Sequence, residues 1–275
     1  MEIAHLIQLN TGLQRFTVNK TAHMKLRNLL LFGLATLFFS ACDKEKEAPE
    51  KNFTLTFKAT YDGATLEKYK NYPYGDRTVQ WNKFNTFLSD LILIKKDGGE
   101  QRLSDIEWVD FTPDLASDNK AVDVKFQYSV PAGDYTGIKI GYGVRSDLNA
   151  KKPSDFSPDQ PLYRENEYWS GWQSYIFTKV QGLYNLDNAG EPESTLTYHC
   201  GSDAVYRTAS MNMTIPVTTE SGAVTVEFDL KKLFTYNGVL LDLNVAENRN
   251  TSHNASNIAL GMKVMDNFAN ATSVK

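Results

Sequence analysis

The sequence predicts an all-β fold, an antiparallel β-sandwich of about 8–10 strands with a short C-terminal helix. Two observations carry this. From Lys51 onward, short runs alternate strictly between apolar and polar residues, the period of strands with one buried face. Between the runs fall clusters of Gly, Pro and Asp that turn the chain back on itself.

Residues 1–41 read as a leader, with 24–41 as a lipoprotein signal peptide. Met24-Lys-Leu-Arg-Asn is a short basic start, Leu29 to Phe39 is an apolar run, and Ser40-Ala41-Cys42 is a small-residue cleavage site. Such a run is too short to span a bilayer, which takes about 20 residues. Residues 1–23 have no clear hydrophobic period, and Met24 reads as the better start. Cys42 is the expected lipidation site. It implies attachment to the bacterial outer membrane, on its periplasmic or surface-exposed side. Residues 42–51 are that Cys and a charged tether, Asp43-Lys-Glu-Lys-Glu-Ala-Pro-Glu-Lys51, with too little apolar surface to fold.

Residues 52–275 are expected to form one domain. Phe53, Leu55, Phe57, Ala59 and Tyr61 alternate with polar residues, as do Val122, Val124, Phe126, Tyr128 and Val130. The same holds for Ile138, Ile140 and Tyr142, and for Val224, Val226, Phe228 and Leu230. Turns are expected at Asp97-Gly98-Gly99, Pro131-Ala-Gly-Asp134 and Glu220-Ser-Gly222. Residues 145–167, rich in Asp, Asn, Ser and Pro, read as one long loop of the kind that often carries function. Ile258, Met262, Met265 and Phe268 or Ala269 follow helical spacing, with Ser252 or Asn254 as N-cap.

Charge and composition exclude several classes. Residues 1–41 hold four of the 29 basic and one of the 33 acidic residues, leaving 25 against 32. A net charge of −7 without basic patches argues against a nucleic-acid partner. Of two cysteines, one is the expected lipid site, so Cys200 has no disulfide partner in the chain. There is no nucleophile elbow, zinc-protease helix, phosphate loop or dinucleotide fingerprint, and no enzymatic activity is expected.

Two features remain for chemistry. The first is "YWSGWQSY", residues 168–175, where Trp169, Trp172 and Tyr175 crowd into one short stretch. On a strand, two tryptophans three residues apart face opposite sides unless a bulge, for which Gly171 is suited, intervenes. The second is scarce histidine. Only His199 and His253 lie beyond the leader, so an imidazole metal site must use them, and imidazole favours Cu, Zn, Ni or Fe. They also read as two unrelated loop histidines. Cys200 adjoins His199, and neighbouring strand residues point to opposite faces. It is either a further ligand or a buried free thiol.

The order of these motifs resembles the MbnP-like family of bacterial copper-binding proteins. The likeness runs through Phe87-Leu-Ser-Asp-Leu91, Pro131-Ala-Gly-Asp-Tyr135, Ile138 to Val144 and Leu148-Asn149. It continues through Tyr168 to Gly182, His199-Cys-Gly-Ser202, His253, and Ile258 to Phe268. It covers nearly all of residues 52–270. The resemblance implies a β-sandwich that binds copper. It implies His199 and His253 as ligands, and Trp169 or Trp172 as a tryptophan oxidised to kynurenine by a dihaem peroxidase-like partner. An outer-membrane transporter is a further implied partner. The family's usual pattern is Trp-x-Trp with Gly just before the Tyr; here it is Trp-x-x-Trp with Ser174 in the Gly's place.

The leading expectation is therefore an exported, lipid-anchored copper-binding protein for acquisition or handling of the metal. The alternative is a glycan- or peptide-binding surface lipoprotein of a nutrient-uptake system, with Trp169, Trp172 and Tyr175 as a stacking platform.

Overall fold

The computed structural model describes residues 48–114, 118–187, 190–218, 220–252 and 258–275. The leader, Cys42 and most of the tether lie outside these residues, as do His253 and Asn254. In chain order the strands are β1 (Glu50–Tyr61), β2 (Ala64–Thr65), β3 (Asn71–Tyr74), β4 (Arg77–Lys95), β5 (Glu100–Asp110), β6 (Val124–Pro131), β7 (Gly133–Tyr142) and β8 (Tyr168–Trp169). They continue as β9 (Ser174–Tyr184), β10 (Ser194–Gly201), β11 (Arg207–Val217), β12 (Ser221–Asp229), β13 (Thr235–Tyr236), β14 (Val239–Leu240), β15 (Asn250–Ser252) and β16 (Thr272–Val274). The helices are α1 (Ser146–Asn149), α2 (Leu230–Leu233), α3 (Ile258–Asp266) and α4 (Phe268–Ala271).

The strands form a β-sandwich, and nine of them have eight residues or more. In the smaller sheet β1 lies between β12 and β6. Its alternating residues Phe53, Leu55, Phe57, Ala59 and Tyr61 are all buried. The larger sheet runs β11-β7-β4-β9-β10-β15. Its long strand β4 pairs first with β9 and then with β7, and its register shifts near Trp81 and Leu91 re-aim it. A bulge bends a strand in this way, so that successive halves meet different neighbours. Most pairs are antiparallel, but β1–β12 and β10–β15 are parallel.

Phe228 is the hub between the sheets. Its ring centroid lies 6.0 Å from Phe57, 6.3 Å from Phe84, 5.9 Å from Phe111, 6.3 Å from Tyr142 and 6.0 Å from Phe268. Such ring pairs add about 0.5–1.5 kcal/mol each beyond the area they bury.

The C-terminal helix differs from its expected form. It breaks at Asn267 into α3 and α4, and there the buried Asn267 Nδ2 donates to the carbonyls of Leu233, at 3.0 Å, and Thr235, at 2.7 Å. The buried face is Leu260, Val264, Met265 and Phe268, whereas Met262 is exposed. Ser252 belongs to β15 and is not a cap.

The segment 145–167 covers the outer face of the larger sheet and builds a second, smaller apolar layer there. The Tyr175 hydroxyl donates to the Leu162 carbonyl at 2.9 Å. Phe87 packs edge-on against Tyr175 at 5.7 Å and against Trp108 at 4.6 Å, and the Arg164 guanidinium lies 5.0 Å from the Trp108 ring. Buried Asn149 fastens the segment. Its Oδ1 accepts the Tyr175 N–H at 2.9 Å, and its Nδ2 donates to Asp203 at 2.8 Å.

Candidate metal centre

"YWSGWQSY" is neither one strand nor a bulge. Tyr168 pairs with Tyr175 and Trp169 with Ser174, so the stretch is a hairpin joining β8 to β9. Trp169 closes the first strand and Trp172 sits in the connection, with its N–H donating to the Trp169 carbonyl at 3.1 Å. The tight return needs a left-handed residue, and Gln173 supplies it at φ 52°. Gly171 serves by its lack of a side chain: a Cβ there would lie 2.7 Å from the Trp169 Nε1.

The three aromatic candidates separate. Trp169 is 41% exposed. Trp172 is half-buried and lines a cleft of about 520 Å³ with Ser174, Ser202, Asp203 and Ile258. Tyr175 is fully buried beneath residues 145–167, its hydroxyl already bonded.

His199 and Cys200 face opposite sides of β10, as alternation requires. Leu196, Tyr198 and Cys200 point inward, while Thr195, Thr197 and His199 point outward. The Cys200 thiol is buried under α3, about 4.0 Å from where a Cβ on Gly261 would sit. Burial pushes its pKa up to about 12, so it stays a neutral thiol at physiological pH.

His199 lies on the outer face between two strands. Its register partners are Lys179 on β9 and Ser252 on β15. Its Nε2 is 2.8 Å from the Nε2 of Gln181. Burial, then the nearby Lys179 charge, lowers its pKa to about 4. The ring is therefore neutral at physiological pH, the form that ligates metals. Lys179 is itself tied down, 2.8 Å from Glu167 Oε2 and donating to the Asn166 carbonyl at 2.8 Å.

β10 and the hairpin meet at their ends, where the Ser202 N–H donates to Ser174 Oγ at 3.0 Å. Thus Ser202, three residues past His199, and Ile258 both line the Trp172 cleft, while Ser252 lies beside His199. Among the described residues no group of three or more His, Cys, Asp or Glu is arranged to hold a metal ion. The chemistry on offer is one neutral imidazole, which suits a borderline transition metal and not a hard, many-oxygen cation. Gln181, Lys179, Glu167 and Asn149 are site-building residues that the sequence reading did not single out. Asn149 fell inside the noted Leu148-Asn149 motif and Gln181 and Lys179 inside Tyr168 to Gly182, while Glu167 lay only in the segment 145–167.

A family model described as MbnP matches residues 50–257. Among solved structures, MbnP from Methylosinus trichosporium is similar, with a TM-score of 0.50 and 14% identity over 69% of this chain and 80% of that one. At that identity the likeness is one of fold. No curated protein matches.

Proposed function

The chain belongs to the MbnP family, and from that footing we propose that it is an exported, lipid-anchored protein that binds copper for acquisition or handling, without enzymatic activity. The observation that carries the reading is the parallel pairing of β10 with β15, which sets Ser252 opposite His199. His253 follows Ser252 directly in the sequence, and that adjacency is the reason for naming it as the partner ligand. His199 and His253 are the proposed ligands, and His199 is already neutral, so binding there displaces no proton at pH 7.

The tryptophans support the same reading. Trp172 shares its cleft with Ser202 and Ile258, which continue from the two histidine-bearing segments. It is the indole best positioned to wall the site or, oxidised to kynurenine by a dihaem partner enzyme, to offer it a ketone and an aryl amine. Cys200 is not a proposed ligand, because its thiol faces the core. Cys42 is the proposed lipid site holding the protein at the outer membrane, and an outer-membrane transporter is a proposed further partner. A glycan-binding alternative would rest on Trp169 and Trp172 alone, since Tyr175 is buried.

The test is copper(I) titration of the protein beginning at Cys42, beside its His199→Ala and His253→Ala variants. Both variants are expected to weaken binding, and unchanged affinity in both would overturn the assignment. Mass spectrometry of the native peptide 165–179 tests the kynurenine: an unmodified peptide removes that part and leaves the histidines.

A further inference from the structure

Asn85 is an interior carboxamide with no protein group to bond. It is 1% exposed, and neither its Nδ2 nor its Oδ1 has a hydrogen-bond partner among the described residues. An amide taken out of water without a partner is costly, so its surroundings show what it can bond.

Two ion pairs flank it. Asn85 lies on β4 two residues after Lys83 and two before Phe87. Alternation puts all three side chains on the outer face that residues 145–167 cover, where Phe87 meets Tyr175. The register partners of Asn85 are Asp110 on β5 and Lys179 on β9. Lys83 Nζ lies 3.2 Å from Asp110 Oδ2, and Lys179 Nζ lies 2.8 Å from Glu167 Oε2. Glu167 comes from the covering segment and is buried. Burial raises its pKa, and its carboxylate feels Lys179, Lys83 and Asp110 in turn, so it stands over the row that holds Asn85.

These charges cancel, two lysines against two carboxylates. The setting therefore has no net charge to draw in an ion. It suits a small neutral molecule that both donates and accepts, to match an amide with a free N–H and a free carbonyl.

We propose that Asn85 and Glu167 hold ordered water beneath the covering segment. The water accepts from Asn85 Nδ2–H and donates to the Glu167 carboxylate. Buried waters commonly serve groups that have no other partner, with about three hydrogen bonds each. Glu167 directly precedes Tyr168. The water thereby ties the base of the tryptophan hairpin to β4, as Asn149 ties its return strand at Tyr175. This seat is independent of copper binding.

The experiment is NMR of the ¹⁵N-asparagine-labelled protein, with chemical denaturation of Asn85→Leu, Glu167→Ala and the double variant. A rotating-frame Overhauser peak between water and the Asn85 side-chain amide protons, opposite in sign to chemical exchange, is expected in the wild type. Leucine has nearly the branched shape of asparagine but bonds nothing. Asn85→Leu is therefore expected to lower the denaturation midpoint, because water and Glu167 lose a partner. The double variant is expected to lose less than the sum of the single losses, as linked groups do. A wild-type amide with no water peak would overturn the proposal. So would a higher midpoint in Asn85→Leu, since replacing an amide that bonds nothing relieves the fold. Strictly additive losses would remove the link to Glu167. The wild-type spectrum decides the matter even where a variant fails to fold.

Discussion

His199 and Ser252 are register partners across two parallel strands although 53 positions separate them in the chain. Parallel neighbours need a crossover, and here it runs through β11, β12 and α2. The candidate centre thus depends on a long-range pairing that returns the chain beside β10.

Cys200→Ser separates the two faces of β10. The thiol points into the core beneath α3, so copper affinity should stay at the wild-type value. Stability should fall by about 1–3 kcal/mol, because a hydroxyl replaces a thiol in an apolar setting. Titration and chemical denaturation of one variant check both statements.

Asn149→Ala should loosen the segment over the larger sheet. It strips the Tyr175 N–H of its acceptor and Asp203 of its donor. A buried N–H left unsatisfied costs about 1–3 kcal/mol. Denaturation should show that loss, and limited proteolysis should cut residues 150–165 sooner than in the wild type.

Gly171→Ala should disturb one indole and little else. The backbone there is not left-handed, so the change carries no conformational penalty. The new methyl must displace the Trp169 ring that approaches to 2.7 Å. A shifted tryptophan emission with stability within about 1 kcal/mol of wild type is expected, the usual range for surface changes.

Glu107→Gln should stabilise the protein at neutral pH. Burial raises the Glu107 pKa, against smaller opposing effects of Ser104 and Tyr128. For an acid so raised, the protonated form favours folding below the ordinary glutamate pKa near 4.3, and that stability is lost as pH rises through the folded value. The amide removes the penalty and leaves an acceptor for the Tyr128 hydroxyl, which donates to Glu107 Oε1 at 3.1 Å. A gain of up to about 1 kcal/mol at pH 7 that vanishes by pH 4 is the expected denaturation result.

Much of the fold was legible in residues. Phe53, Leu55 and Phe57 alternate because each strand buries one side, and that period is local. The turn chemistry at Gly98 and Gly133 is local too. The reading went astray where a second layer or a break overrode the period. Tyr175 looked like a surface ring, but β9 is covered on both faces near its start. Met262 looked like core, but α3 buries the face formed by Leu260, Gly261, Val264 and Met265, which leaves Met262 on the outside.

By itself, then, the sequence determined a sandwich with period-two strands, two histidines beyond residue 41, and His199 and Cys200 on opposite faces of one strand. All of these follow from chemistry within a few bonds or a few residues. Only the tertiary structure decided that the tryptophan stretch is a hairpin, that Tyr175 is interior, and that the His199 strand runs beside the segment leading into His253. Those facts depend on which distant strands pair and in what register, and register between distant segments is set by the packing of the whole sheet.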